Sequence, residues 1–547
     1  MKTKKTYNWL GWVLLIVSLF AGCIVLYWGN FGDEADNLVV GSLLTRGYVL
    51  YRDIFSHHFP FAYYWAAAVV SLFGKSILAA RLSVLLFQVT SFAIAMKLSR
   101  FRLSLGLASL VWNIIGHLYK GNMLLYNMFC GASLVVVFSV TLAIVSRKID
   151  GNWKSILAIG LFSTIAILSD PLSIYAIAVT LIFLLSTPPT GLKQGFVMGL
   201  IIAVGLAGYA GYLLISGAFT DFIRDAITFN SQIYSKYVYT NPVRFHDFFE
   251  MSIKGLKIFD ATWMNTDPMK PICNSYTEFD RWIFTGFLYR LSVILTSLAF
   301  VIRKRFRAAG FIYLFAAALL VINEWDFRAA SFIMVALVAA AGLIVKQWMR
   351  QQLHITFISI SQMAFRALVG CMLIWLVIRV AAHTAENRQM LSYKANFGVY
   401  ESEAARIQTE LACGRSDVLL AYYPGNPYIY WFTDMKPVSK YIFMWPWVAE
   451  IALPDVINCL SDTLSDKGLA VVYIADAEIW GRYKTRDYLR SLQSYLEESY
   501  VKVEEGWYLS PDLAAQCHKQ QETGALSNSS VHSSKIFLPL ILKNLGW

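Results

Sequence analysis

Charged residues are scarce in this chain. They make up 15% of its 547 residues, whereas 57% of the residues are hydrophobic. A soluble domain usually carries about 25% charged residues, so this composition excludes an ordinary soluble protein. Repeated apolar runs long enough to cross a bilayer follow one another along the chain. The sequence therefore predicts a polytopic α-helical membrane protein.

Other missing features narrow the range of functions. No glycine-rich nucleotide loop is visible, and the seven cysteines and eight histidines show no metal-site spacing. No internal repeat is found, which argues against a secondary transporter built from two related halves. Although the net charge is +12, no separate basic domain exists, so nucleic acid is not an expected partner. We predict no cofactor, and Glu34-x-Asp36 is too weak a pattern to predict a metal.

Eleven membrane spans are predicted, with the amino terminus in the cytoplasm. This orientation places the basic clusters between spans, such as Arg303–Arg307, on the cytoplasmic side. It requires that the apolar segment 59–73 lie along the outer surface as an interfacial helix, because a further span there would invert every later loop. The predicted spans are 8–28, 78–98, 103–119, 127–146, 155–169, 171–187, 195–216, 282–302, 308–323, 329–346 and 365–383.

The chain divides into three parts by composition. Residues 1–383 form the membrane domain, in which an aromatic outer loop is inserted at 217–281. Residues 384–526 alternate apolar strands with amphipathic helices, which predicts an extracytoplasmic α/β domain. Residues 527–547 are a serine-rich linker and an apolar tail. Four cysteines lie in the predicted outer regions, where a disulfide is permitted, but the spacing does not give its connectivity.

An acidic cluster follows the first span directly. Asp33, Glu34 and Asp36 lie where the chain leaves the bilayer, and carboxylates near a membrane are costly to desolvate. One explanation is catalytic, because a partly buried carboxylate can act as a general base. The other explanation is structural: a helix cap, or an ion pair with Arg46, Arg52 or Arg81.

The segment after this cluster, "GYVLYRDIFSHHFPFAYYWAAAVVSLFGKSILAARL", resembles the first outer loop of GT-C glycosyltransferases. The pattern is similar to that of the aminoarabinose transferases of lipid A and the protein O-mannosyltransferases. The matching elements are Asp33-Glu34, the segment from Gly47 to Asp53, His58-Phe59-Pro60, Phe73-Gly74 and Ala79-Ala80-Arg81-Leu82. The strict form often has two prolines after the histidine, and here Phe59 replaces the first.

The resemblance implies a fold with a pair of surface helices after the first span and an external C-terminal domain. It also implies transfer of a hexosyl or pentosyl group, with inversion, from a polyprenyl-phosphate carrier to a lipid, glycan or protein acceptor at the outer face of the cell membrane. Asp33 is then the expected base, with Glu34 as its partner or substitute. The expected donor-phosphate ligands are Arg81 and Arg328. His58, Tyr51 and Asp53 are the expected substrate-binding residues.

Besides a glycan polymerase or ligase of another membrane family, which would place its key residues in a late outer loop rather than the first, two other functions are compatible with the same sequence. The first is a non-enzymatic transporter or flippase for a lipid-linked glycan, although transporters tend to place charges within their spans rather than at one external face. The second is an inactive GT-C-like subunit. The sequence does not name the sugar, the carrier length or the acceptor.

Overall fold

The described membrane part of the chain is built from helices. The computed structural model describes residues 2–188, 191–238, 287–320, 326–345 and 356–522. The helices in the membrane part are α1 (Lys2–Ile24), α2 (Gly32–Leu44), α3 (Phe61–Phe73), α4 (Ile77–Ser99), α5 (Arg102–Ile115), α6 (Tyr126–Val145), α7 (Trp153–Ser169), α8 (Ile174–Leu185), α9 (Gly191–Ile215), α10 (Phe219–Phe222), α11 (Ser235–Val238), α12 (Phe287–Ile302), α13 (Phe306–Leu320), α14 (Ala330–Val345) and α15 (Thr356–Glu386).

A helix occupies the described part of every predicted span. Four described helices are long and apolar enough to cross a membrane by length and composition: Ile77–Ser99, Tyr126–Val145, Gly191–Ile215 and Met363–Glu386. Seven shorter apolar helices accompany them. The chain is therefore a membrane protein, and the count of eleven spans stays a prediction.

Helix α6 lies at the centre of the bundle, and every one of its residues is buried. Helices α1 and α5 pack against each other at very short range. A Cβ atom added to Gly106 would lie 2.4 Å from the carbonyl oxygen of Gly11, and one added to Gly11 would lie 2.6 Å from the Arg102 carbonyl. Only glycine permits this approach, which is typical of helix contacts inside membranes.

Two short helices, α2 and α3, follow α1, as the resemblance implied. Helix α3 has 13 residues, so it is about 20 Å long, and a hydrocarbon core measures about 30 Å. Its length therefore agrees with an interfacial position, which remains a prediction. Helix α2 is almost wholly buried and begins with two acidic residues, Asp33 and Glu34, in its first turn, where the helix dipole favours negative charge.

The C-terminal region contains a five-stranded sheet with helices. The strand order is β2-β1-β3-β7-β6, in which β1 pairs in parallel with β2 and β3, and β7 pairs antiparallel with β3 and β6. The strands are β1 (Leu419–Tyr423), β2 (Lys436–Pro437), β3 (Ala470–Ile474), β4 (Glu478–Ile479), β5 (Tyr483–Lys484), β6 (Val501–Glu504) and β7 (Trp507–Leu509). The helices are α16 (Tyr393–Arg406), α17 (Tyr428–Thr433), α18 (Pro446–Ser465), α19 (Thr485–Tyr488), α20 (Arg490–Ser499) and α21 (Pro511–Glu522).

One detail of the predicted sheet was wrong. The segment "YVKVEEGWYLS" reads as a single last strand, but it forms the hairpin β6–β7. The chain reverses at Gly506, whose φ of +74° is a backbone conformation that glycine adopts without strain. Strands β4 and β5 form a separate two-stranded hairpin.

The C-terminal region is closed by a disulfide and docked on the first outer loop. Cys413 and Cys517 are joined, with their Cα atoms 5.6 Å apart, whereas Cys273 lies outside the described residues. Lys75 and Arg46 both pair with Asp434. The predicted boundary at residue 383 falls within α15, three residues before its end.

Candidate functional site

Glu34 and Arg81 form an ion pair that is sealed from solvent. Both side chains are 0% exposed, and Arg81 Nε lies 2.9 Å from Glu34 Oε1. The Glu34 carboxylate also accepts hydrogen bonds from the backbone N–H of Leu124 at 3.1 Å and from the Tyr428 hydroxyl at 2.7 Å. This arrangement is the ion pair with Arg81 that the sequence left open as an alternative.

Arg81 uses all its donors inside this network. A guanidinium has five N–H groups. Besides Glu34, those of Arg81 reach the carbonyl oxygens of Leu26 at 2.8 Å, Trp28 at 3.4 Å and Gly29 at 2.9 Å. A fully buried arginine whose N–H groups all have acceptors has none left to bind a lipid phosphate. The geometry therefore favours a structural role, in which the pair fixes the start of α2 against α1 and α4.

Two further predicted residues, Tyr51 and Asp53, lie in a tight turn. The Tyr51 side chain is fully buried, and its hydroxyl donates to the His58 carbonyl oxygen at 2.9 Å. Asp53 accepts from the Val49 N–H at 2.8 Å and pairs with Arg52. These contacts shape the segment that carries His58, so both residues position the candidate site.

Arg328 is the centre of a second, more open cluster. It lies on a 3₁₀ turn, Asp326–Ala329, and its guanidinium donates to the Tyr234 hydroxyl at 2.9 Å. Its charge also acts on His57, His58 and Tyr126. The side chain is partly exposed, so a ligand can approach it.

Two carboxylates belong to the same cluster. Asp170 follows the last residue of α7, and burial raises its pKa to about 6, while the charge of Arg328 opposes the rise. The charges of Asp33, Asp170 and Arg328 all act on the Tyr126 hydroxyl. The structure thus brings together predicted residues from the first outer loop and from the loop before α14. Asp33 itself is only partly buried.

The histidines of the first outer loop line this cluster as neutral groups. The rings of His57 and His58 are 4.0 Å apart, and His58 lies 4.8 Å from the Tyr126 ring, between centroids. Burial and the Arg328 charge lower the pKa of His57 to about 3. Burial, His57 and Arg328 lower the pKa of His58 well below its usual range. Near neutral pH both rings are therefore uncharged and available as hydrogen-bond partners.

Asp36 lies one helical turn after Asp33 and is 5% exposed. It accepts a hydrogen bond from the Tyr63 hydroxyl at 2.6 Å. Tyr63 is 2.7 Å from the Ser56 hydroxyl, which accepts from the His58 N–H at 3.1 Å. This chain of hydrogen bonds links the His58 segment to α2. Burial raises the pKa of Asp36 to about 7, the Tyr63 hydrogen bond opposes the rise, and the charge of Asp33 adds to it.

The raised pKa of Asp36 predicts a pH dependence of stability. Its folded-state pKa of about 7 lies above the ordinary 3.8, so the folded state holds an extra proton between these values. Stability should therefore fall as the pH rises through this window, by roughly 4 kcal/mol at most.

We expect Asp36→Asn to remove this loss of stability. Thermal unfolding in detergent from pH 5 to pH 8 should show a stabilisation of the variant that grows with pH. Asp466→Asn, at an exposed position, is the control. If the melting temperature of Asp36→Asn differed from that of the wild type by the same amount at every pH, the prediction would be contradicted.

Sequence reasoning singled out Asp33, His58 and Arg328 but gave no role in the site to Asp170, Tyr126 or Tyr234. A usable signal existed for Asp170, because an isolated acid between two apolar segments is a functional candidate by default. Tyr126 and Tyr234 carry no such signal, since aromatic residues are frequent at bilayer interfaces. Among the described residues, no group of three or more His, Cys, Asp or Glu side chains is arranged to hold a metal ion.

The architecture defines a fold. A helical membrane domain, a helix pair after its first span and a C-terminal α/β region make up the GT-C-type fold, as the sequence predicted. No family model and no curated protein matches the chain.

Among solved structures, the chain is similar to those of ArnT from Cupriavidus metallidurans. The apo form is 13% identical with a TM-score of 0.52, and the alignment covers 92% of this chain and 98% of ArnT. The form bound to undecaprenyl phosphate is 14% identical with a TM-score of 0.51, covering 92% and 97%. The archaeal oligosaccharyltransferase AglB from Archaeoglobus fulgidus is 10% identical with a TM-score of 0.43, covering 85% of this chain and 69% of AglB.

Proposed function

We propose that this chain is an integral membrane glycosyltransferase that moves a sugar from a polyprenyl-phosphate carrier to an acceptor on the extracytoplasmic face. The observation that carries the proposal is the cluster around Arg328, where a partly exposed cation, neutral histidines and carboxylates meet. The fold supports it, because ArnT shares this fold and its solved structures include one bound to undecaprenyl phosphate.

The proposed reaction is a single displacement with inversion. The Asp33 carboxylate takes the proton of the acceptor hydroxyl, and the acceptor oxygen attacks the anomeric carbon. The bond between that carbon and the carrier phosphate breaks, and the phosphate leaves with the electron pair. Arg328 stabilises the charge that builds on the phosphate, as charge-assisted hydrogen bonds do in a low-dielectric site. His58 holds the substrate, and no step requires a cofactor.

The structure changes the emphasis among the predicted residues. We propose that the Glu34–Arg81 ion pair holds the first turn of α2 in place. Asp33 then lies on a helix whose start is fixed. Asp36 lies behind Asp33, and we propose that its proton, which is held below a pKa of about 7, limits the local negative charge to one unit at mildly acidic pH. The Asp170 carboxylate accepts from the Leu172 N–H at 3.0 Å and interacts electrostatically with Arg328, and we propose that this charge helps to orient the guanidinium.

Binding of the carrier tests the proposal before any acceptor is known. We expect native mass spectrometry of the purified protein to show a retained polyprenyl phosphate after undecaprenyl phosphate is added. Arg328→Gln should weaken this binding by about tenfold or more, because one charge-assisted contact is worth about 1.5–3 kcal/mol. Arg307→Gln, an exposed arginine on the predicted cytoplasmic side, is the matched control.

The second readout is release of sugar from a radiolabelled polyprenyl-phosphate sugar. Slow hydrolysis of the donor, or transfer to an added acceptor, supports the transferase. Donor that binds and moves across a proteoliposome membrane with its sugar intact would instead favour a flippase. A protein that ignores undecaprenyl phosphate altogether would overturn the proposal.

A further inference from the structure

A series of six aromatic side chains leads away from Arg328 over the C-terminal region. We call it the aromatic ladder; it consists of Tyr234, Tyr237, Trp445, Trp447, Trp480 and Tyr483. The Tyr234 ring, whose hydroxyl accepts from Arg328, lies 5.5 Å from Trp447 between centroids. Trp447 stacks on Trp480 at 4.4 Å, with 28° between the ring planes. The ladder is therefore continuous with the candidate site.

The outer members of the ladder extend this surface. Trp445 is stacked with Trp447 at 6.1 Å, and Tyr237 lies 5.9 Å from Trp447 and 5.6 Å from Tyr483. Trp447 is buried, whereas the other five rings are only partly buried. At the edge, the Tyr237 hydroxyl donates to the exposed Glu450 carboxylate at 2.9 Å. The surface thus combines flat apolar rings with polar groups along one side.

Trp480 occupies a backbone position that does not suit it. It is the first central residue of the β-turn Ile479–Arg482, in the three-residue loop between β4 and β5, with φ of +53°, and Gly481 follows with φ of +61°. The Arg482 N–H donates to the Ile479 carbonyl oxygen at 3.1 Å, which closes the turn. Turns with two positive φ values favour asparagine and glycine, and a bulky residue there is strained. In this strained conformation the Trp480 indole stacks on Trp447.

A buried donor at the centre of the ladder gives a second indication of a ligand. The indole N–H of Trp447 is buried and has no hydrogen-bond acceptor among the described residues. The Trp447 side chain is 4% exposed, and buried indole N–H groups usually find a partner. A ligand hydroxyl at the ladder would supply one.

From these observations we propose that the aromatic ladder binds the acceptor and that the acceptor is a saccharide. A pyranose ring presents C–H bonds on its faces and hydroxyls around its edge. It therefore fits a site of flat aromatic rings with a few polar groups beside them. The continuity from Trp480 through Trp447 and Tyr234 to Arg328 directs one end of such a chain to the proposed reaction centre. The inference rests on the proposed function and names the substrate class of the same site.

The test uses the full-length protein in detergent with short, defined oligosaccharides built from hexoses. Binding is measured by saturation-transfer NMR and by calorimetry. We expect Trp480→Asn to weaken binding by about tenfold, since a stacking surface is lost. The same change leaves asparagine before Gly481, the pair that this turn favours, so the melting temperature should stay within about 3 °C of the wild type. Trp153→Asn, at a tryptophan that is 69% exposed on the predicted cytoplasmic side, should change neither value. Tyr483→Ala provides a second variant in which binding should fall.

The possible outcomes separate this inference from the proposed function. Hydrolysis of the lipid-linked donor by water needs no acceptor, so it is measured in the wild type without any saccharide. Donor hydrolysis without any saccharide binding would overturn the inference about the acceptor, and the proposed transferase function would be unaffected. The protein could instead bind saccharides, lose this binding in Trp480→Asn and never act on the donor. This result would support saccharide binding at the aromatic ladder and overturn the proposed transferase function. Equal binding by wild type and Trp480→Asn would overturn the inference, as would binding of an unfolded polypeptide instead of saccharides.

Discussion

Replacing Asp33 by asparagine is expected to slow sugar transfer by about 10²–10⁴-fold while leaving the protein folded. The amide has nearly the shape of the carboxylate but cannot take the proton of the attacking hydroxyl. Because Asp33 is only partly buried at the start of α2, the change should cost little stability. The rate is to be measured with a labelled polyprenyl-phosphate sugar, beside melting temperature and carrier binding.

The comparison with two other variants makes this result specific. Asp417→Asn, at an exposed position in the C-terminal region, should leave the rate unchanged. Asp170→Asn should weaken carrier binding in addition to the rate, because the charges of Asp170 and Arg328 interact. If Asp33→Asn binds the carrier and transfers sugar at the wild-type rate, Asp33 is not the base, and Asp170 becomes the next candidate.

Replacing Arg81 by methionine is expected to destabilise the protein by about 3–5 kcal/mol. The change removes the cation and leaves the Glu34 carboxylate buried among groups that cannot neutralise it. It also removes the Arg81 donor from the carbonyl oxygen of Gly29 and leaves that of Leu26 with only the Asn122 amide, at 3.3 Å. We expect a marked fall in folded protein recovered from membranes and in melting temperature.

Two further variants separate this role from donor binding. Arg52→Met removes an arginine of an ion pair that is 46% and 30% exposed, and such pairs are worth at most about 1 kcal/mol. Combining Glu34→Gln with Arg81→Met should recover part of the stability, because no charge is then buried alone. An Arg81→Met protein that melts like the wild type but no longer binds undecaprenyl phosphate would restore Arg81 as a phosphate ligand.

The fold was largely predictable because its signals are local. An apolar run of membrane length forms a helix wherever it lies, since no water is present to satisfy a non-helical backbone. The buried strands β1 and β3 were equally visible, as short apolar runs between amphipathic helices. The hairpin β6–β7 was missed because its turn, Glu505-Gly506, is short and strand-forming residues lie on both sides of it.

The candidate site was only partly predictable because it depends on contacts between distant segments. Nothing near Glu34 in the chain shows that Arg81, rather than Arg46 or Arg52, is its partner. In the same way, Asp170 and Arg328 are far apart in sequence, and only the packing of α7 and α14 around α6 makes them neighbours. The resemblance supplied Asp33 and Arg328, whereas the distinction between a buried ion pair and an open site required the structure.

The hydrogen bond between Tyr428 and Glu34 has a consequence for the biogenesis of the protein. The two residues are 394 positions apart, so Glu34 and Arg81 enter the bilayer long before Tyr428 leaves the ribosome. The ion pair is therefore assembled first from α1, α2 and α4 and receives its last hydrogen bond only after the C-terminal region has folded. Completion of this hydrogen-bond network then becomes a late step, and a nascent chain released before residue 428 would expose an incomplete charge pair to quality-control proteases.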